Sequence, residues 1–262
     1  MSAGRKLLRW IEMLALFVAA PVLLWQLPGV FDGGGLFLFL AVMALVCGLA
    51  IWFDPTFERS KLWDVKPVAP AMGWVIGRWV VAAAALTALL GLFAGRELPG
   101  LSIAIPTTPF RLFQRQLLAN DFIESVALAI TLQGQPEALA RFVALALRHV
   151  HLVLPLIITL FYPWISVYPQ NVIYRAFFCH RYRAILGGGW SLILLNAAAF
   201  SFGHVMFNNW VVLLLTFVGG LVFTRTYLKS RSLLLASIEH ALYGLFCFYL
   251  GIGVFLVYGA SG

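Results

Sequence analysis

Apolar stretches close to the length of a bilayer crossing recur along this chain, and they limit the fold before any motif is considered. A helix rises 1.5 Å per residue, so about 20 apolar residues span the hydrocarbon core. Runs near that length occupy residues 10–30, 36–53, 71–94, 190–207 and 233–257, with shorter ones at 151–167, 170–182 and 210–224. The 262 residues are 62% hydrophobic and 11% charged, whereas a soluble domain carries about 25% charged residues. An outer-membrane barrel would show alternating segments of about 10 residues, and none are present. The sequence therefore predicts an all-α, polytopic transmembrane helical bundle of about eight spans. No internal repeat or low-complexity linker divides residues 1–262, so one membrane domain is expected.

The formal charge of +8 does not point to nucleic acid. The basic residues sit at the ends of apolar runs, where they set topology and meet anionic headgroups. Arg5, Lys6 and Arg9 precede the first run, and Arg59, Lys61 and Lys66 follow the second. Two crossings return the chain to its starting side, so the positive-inside rule places both clusters, and the N-terminus, in the cytoplasm. The fit is to an inner, cytoplasmic membrane of bacterial type. The first run is long and Ala19-Ala20-Pro21 is a poor cleavage site, so it reads as an uncleaved span rather than a signal peptide. Residues 117–132 have a helical pattern interrupted by Asp121 and Glu124. A crossing there would put Arg181, Arg183 and the 225–231 cluster on the cytoplasmic side as well. Cys47, Cys179 and Cys247 lie in apolar runs without Cys-x-x-Cys spacing, and read as small buried residues.

Against this apolar background three polar stretches stand out. The first is Tyr168-Pro-Gln-Asn-Val-Ile-Tyr-Arg175. Pro169 is expected to break the preceding helix, and Gln170 and Asn171 to open the next. Arg175 falls one turn after Asn171 on the same face. The second is Phe200-Ser-Phe-Gly-His204, and the third is Glu239-His240. Polar side chains at membrane depth face protein or a wet cavity and mark function. The helices bearing the first two stretches are antiparallel neighbours joined by Gly187, Gly188 and Gly189, which sets Gln170, Asn171 and His204 toward one membrane face. His240 lies roughly 10 Å into its helix and His204 roughly 21 Å into its own, so convergence requires tilt. Neutral imidazoles suit a metal or an oxyanion pocket. His149, His151 and His180 lie beside arginines at helix ends and read as interfacial anchors.

In order and spacing the three stretches resemble the motifs of the CPBP intramembrane proteases, the group that includes CAAX prenyl endopeptidases and bacteriocin-processing or immunity proteins. Those motifs are Glu-Glu-x-x-x-Arg, Phe-x-x-x-His and His-x-x-x-Asn. The resemblance covers residues 152–257, within a motif-bearing core at 149–258; residues 1–148 supply N-terminal spans and a linker. Position by position it maps Arg175, His204 and His240 onto the motif arginine and histidines. In that family a motif-one glutamate activates water, and the histidines hold the oxyanion or a metal. Here Gln170 and Asn171 stand in place of the two glutamates, and Gly244 in place of the asparagine. A carboxamide cannot take a proton from water.

Two readings follow. The first is an intramembrane endopeptidase acting on hydrophobic or prenylated peptides, in which Glu239 replaces the missing base or joins His204 and His240 around a divalent metal such as zinc. The second is a catalytically inactive protease-fold protein that binds hydrophobic or lipidated peptides as a partner or immunity factor. A small transporter, the third class, would need an inverted repeat or paired broken helices, and the sequence has neither.

Overall fold

The computed structural model describes residues 2–26, 35–92 and 150–250, and every regular element among them is a helix. Helix α1 (Ala3–Gln26) contains a π-turn at Ala15–Ala19 just before Pro21. It starts well before residue 10, because the basic segment carrying Arg5, Lys6 and Arg9 joins the helix. Helix α2 (Gly35–Trp52) ends at the Asp54-Pro55 turn, and a 3-10 turn (Arg59–Leu62) leads to α3 (Val68–Leu92). Helix α4 covers residues 150–186, followed by α5 (Trp190–Phe202), α6 (Trp210–Ser230) and α7 (Leu233–Tyr249). Among the described residues six helices are long and apolar enough to cross a membrane, and α7 is a shorter apolar helix. The protein is an integral membrane helical bundle. The segment 117–132 lies outside the described residues.

The expected break at Pro169 does not occur. Residues 151–167 and 170–182 form one helix that absorbs Pro163 and Pro169 by widening, with π-turns at Pro163–Val167 and Val172–Phe178. A proline removes one backbone donor, and inside a membrane local π adjustment lets the ladder continue. The Tyr168 N–H, for example, bonds the Pro163 carbonyl. Helix α4 therefore carries Gln170, Asn171 and Arg175 in its middle rather than at a start.

Polar caps set the other ends. Asn209 accepts from the Val211 and Val212 amides at the start of α6, and Ser232 from the Leu235 amide at the start of α7. Each such cap contributes about 1 kcal/mol. Large apolar side chains such as Leu38, Val81 and Leu160 point outward, as the lipid-facing surface of a bundle requires. Helices α5 and α6 pack closely because Gly220 lies against Ala197: a Cβ at 220 would stand 2.8 Å from the Ala197 Cα. Small residues allow such backbone approach in membranes. Gly220→Ala should therefore push these helices apart and cost about 1–3 kcal/mol, measured by thermal unfolding in detergent.

The basic clusters gather at one end of the bundle. Arg181 pairs with Glu12 of α1 at 2.8 Å, His180 with Asp54 at 3.0 Å, and Arg231 with Glu58. His180, expected as an interfacial anchor, thus ties the end of α4 to the turn after α2. The Asp54 carboxyl accepts from the Thr56 hydroxyl and amide and lies beside His180, which lowers its pKa from the ordinary 3.8 to about 2. A depressed carboxylate stabilises the fold above its unfolded-state value and loses that contribution as pH falls through the folded one. Asp54→Asn should therefore be less stable than the parent at neutral pH, and the difference should shrink between about pH 4 and pH 2. Unfolding curves taken across that range check it.

Candidate active site

Helices α4, α5 and α7 bring the three polar stretches together around a cavity of about 960 Å³, which α1, α2, α3 and α6 complete. Gln170, His204 and His240 all line it, and most of the remaining lining is apolar. His204 donates from Nδ1 to the Phe200 carbonyl at 2.7 Å, which leaves Nε2 as the proton-accepting nitrogen. The Phe200 ring stands edge-on to both imidazoles, with centroids 4.9 Å from His204 and 5.4 Å from His240. His240 stacks on Phe223 at 4.5 Å. Its Nδ1 lies 3.3 Å from Asn171 Nδ2. An amide nitrogen can only donate, so this bond puts the His240 ring proton on Nε2. The cavity is thus flanked by one imidazole able to accept a proton and one able to donate a hydrogen bond.

The two motif-one carboxamides part company. Gln170 faces the cavity, with Nε2 donating to Ser166 Oγ at 3.0 Å. Asn171 is fully buried behind the wall, where Nδ2 donates to Ser237 Oγ at 3.1 Å. Arg175 is also fully buried and does not serve as a counter-ion for position 171. It donates from Nη1 to Asn196 of α5 and lies over the Phe200 ring at 4.6 Å. Asn196 in turn accepts from Thr224 at 2.6 Å and donates to the Tyr174 carbonyl. The motif arginine therefore joins α4, α5 and α6 and holds Phe200 from behind. Its Nε and Nη2 have no hydrogen-bond partner among the described residues.

Glu239 stands apart from the histidines. Its carboxylate is fully buried and receives Arg78 of α3 and the Thr226 hydroxyl of α6. Adjacent residues on a helix diverge by about 100°, so His240 turns to the cavity while Glu239 turns to α3. The expected set of His204, His240 and Glu239 is accordingly not assembled: no group of three metal-ligating side chains occurs among the described residues. Two imidazoles alone do not make up the three protein ligands of a catalytic zinc site.

Gly244, one turn beyond His240, has a packing reason. The Tyr162 hydroxyl and ring fill the space that a larger side chain would need, with Tyr162 Cε1 at 2.7 Å from the Cβ position. A phenol from α4 thus occupies the place expected of an asparagine from α7.

The fold and this arrangement define an intramembrane helical bundle with two histidines lining a largely apolar cavity. Residues 151–246 match the family model for Type II CAAX prenyl endopeptidase Rce1-like proteins. This segment holds all three polar stretches, and the match supports assigning it to the CPBP/CAAX-protease family. No curated protein and no solved structure matches it.

Proposed function

We propose that the protein binds hydrophobic or lipidated peptides in the cavity of a CAAX-protease fold, and that its hydrolytic step is crippled. The observation that carries this reading is that Gln170, a carboxamide, lines the same cavity as His204 and His240. A cavity of about 960 Å³ lies at the upper end of the range for small-molecule sites, a volume that suits an isoprenoid or an apolar peptide segment. The missing base does not impair binding, because capture of an apolar chain rests on buried area. Purified protein in nanodiscs should bind a fluorescent prenylated peptide and return it uncleaved by mass spectrometry. Ala83→Trp, which fills the cavity from α3, should abolish binding. Rapid cleavage by the native protein, or binding indifferent to Ala83→Trp, would overturn the reading.

One observation favours the second reading, an active endopeptidase: His204 keeps Nε2 as a proton acceptor. Slow cleavage abolished by His204→Ala, with binding retained, would establish it.

The bundle is further proposed to sit in a bacterial inner membrane with its basic end in the cytoplasm, by the positive-inside rule. A cysteine introduced at Lys229 should react with a membrane-impermeant thiol reagent only after cells are opened. Reaction in intact cells would reverse the orientation.

A further inference from the structure

At the basic end lies a second, separate cavity of about 360 Å³, between the ends of α4 and α6 and the linker before α3. Phe57, Tyr227 and Leu228 give it an apolar wall, and Lys61, His180, Arg183 and Arg231 bring four basic side chains to it. No acidic side chain among the described residues lines it. The nearest acids are already engaged: Glu58 is shared by Lys61 at 3.5 Å and Arg231, and Asp54 is held by Thr56 and His180. Glu58 and Arg231 are both exposed, so their pair is weak and can be exchanged for a stronger anion. Arg183 makes no ion pair among the described residues. Gly188 leaves room for its guanidinium, since a Cβ there would stand 3.1 Å from Arg183 Nη2.

We infer that this cavity binds a phosphate ester, with Arg183 as the principal ligand and Lys61 and Arg231 closing around it. Guanidinium groups match phosphate oxygens by paired charge-assisted hydrogen bonds. The mixed lining, cationic at the rim and apolar on one side, suits the junction of a headgroup and its glycerol. Basic pockets between membrane helices hold anionic lipids by the same physics. The source is an anionic membrane lipid or a soluble phosphate ester, and the two are separable by experiment.

The test is native mass spectrometry of the detergent-solubilised protein with added phosphatidylglycerol or phosphatidylcholine. A parallel titration uses glycerol phosphate, at an ionic strength that screens diffuse surface attraction. Phosphatidylglycerol should be retained about tenfold over phosphatidylcholine, and Arg183→Gln should lower that preference about tenfold, as loss of a charge-assisted contact predicts. Arg225→Gln removes the same charge from the same end but outside the cavity, where Arg225 stacks over Trp190, and should leave the preference within twofold. Saturable binding of glycerol phosphate that depends on Arg183, without lipid preference, assigns the site to soluble esters. Equal retention of both lipids with no glycerol phosphate binding overturns the proposal, and so do equal effects of Arg183→Gln and Arg225→Gln.

Discussion

Gln170→Glu should create or strongly raise cleavage of a membrane-embedded or prenylated peptide, by about 10²–10⁴-fold, the usual worth of a positioned general base. The substitution keeps side-chain length and exchanges the amide for a carboxylate on the cavity wall, on the same cavity as His204. The Gln170 Oε1 has no hydrogen-bond partner among the described residues, so no bond to that atom has to be broken. Asn171→Glu tests the other half of the motif. That position is sealed from the cavity and meets Ser237 and His240. A carboxylate there would orient His240 rather than reach water, so the gain alone should be smaller than at 170, and the double variant should exceed both. Product analysis by mass spectrometry reads all three. If the double variant is folded, binds peptide and still cleaves nothing, the proposed role of motif one is wrong.

Arg78→Ala should destabilise the bundle by about 3–5 kcal/mol, the cost of stranding one member of a buried ion pair. Glu239 is fully buried, and its other hydrogen bond, from Thr226, cannot neutralise it. Arg78 also donates to Thr226 Oγ1 at 2.9 Å and lies over the Trp74 ring at 4.1 Å. Its loss therefore loosens α3, α6 and α7 together, and α7 carries His240. Thermal unfolding in detergent measures the effect. Replacing both members, as Arg78→Met with Glu239→Leu, should recover most of it, because an apolar pair carries no stranded charge. A single variant within 1 kcal/mol of the parent would show that the pair does not hold α3.

Much of this architecture was legible in the chain itself. Hydropathy alone gives the helical class and most spans, because the bilayer fixes helix length. That the three polar stretches turn away from lipid was foreseeable from cost, but which of their side chains reach the cavity was not: Asn171 and Arg175, expected there with His204 and His240, lie buried behind its wall. Pro169 misled because the rule that proline breaks a helix assumes an unbroken α ladder, and α4 widens to π-turns instead. Glu239 misled because adjacency to His240 suggested a shared site, while helical rotation separates the two. Arg78 carried a signal that went unread: a lone arginine within an apolar span needs a buried partner, and Glu239 is that partner. Asn196 sent the same kind of signal from the middle of α5. Nothing local in the sequence reports that Tyr162 fills the space beside Gly244, because that contact joins positions far apart in the chain.

The central claim is that the cavity beside His204 and His240 holds a lipidated or apolar peptide without cutting it. Its most direct test is photocrosslinking of a prenylated peptide bearing a photoreactive group on its isoprenoid, with the crosslinked residues and the peptide's integrity read by mass spectrometry. The account predicts full-length peptide attached to cavity-lining residues such as Tyr243, Phe207 and Leu215, competed by unlabelled peptide and lost in Ala83→Trp. Crosslinks confined to lipid-facing residues, or recovery of cleaved peptide from the native protein, would contradict it.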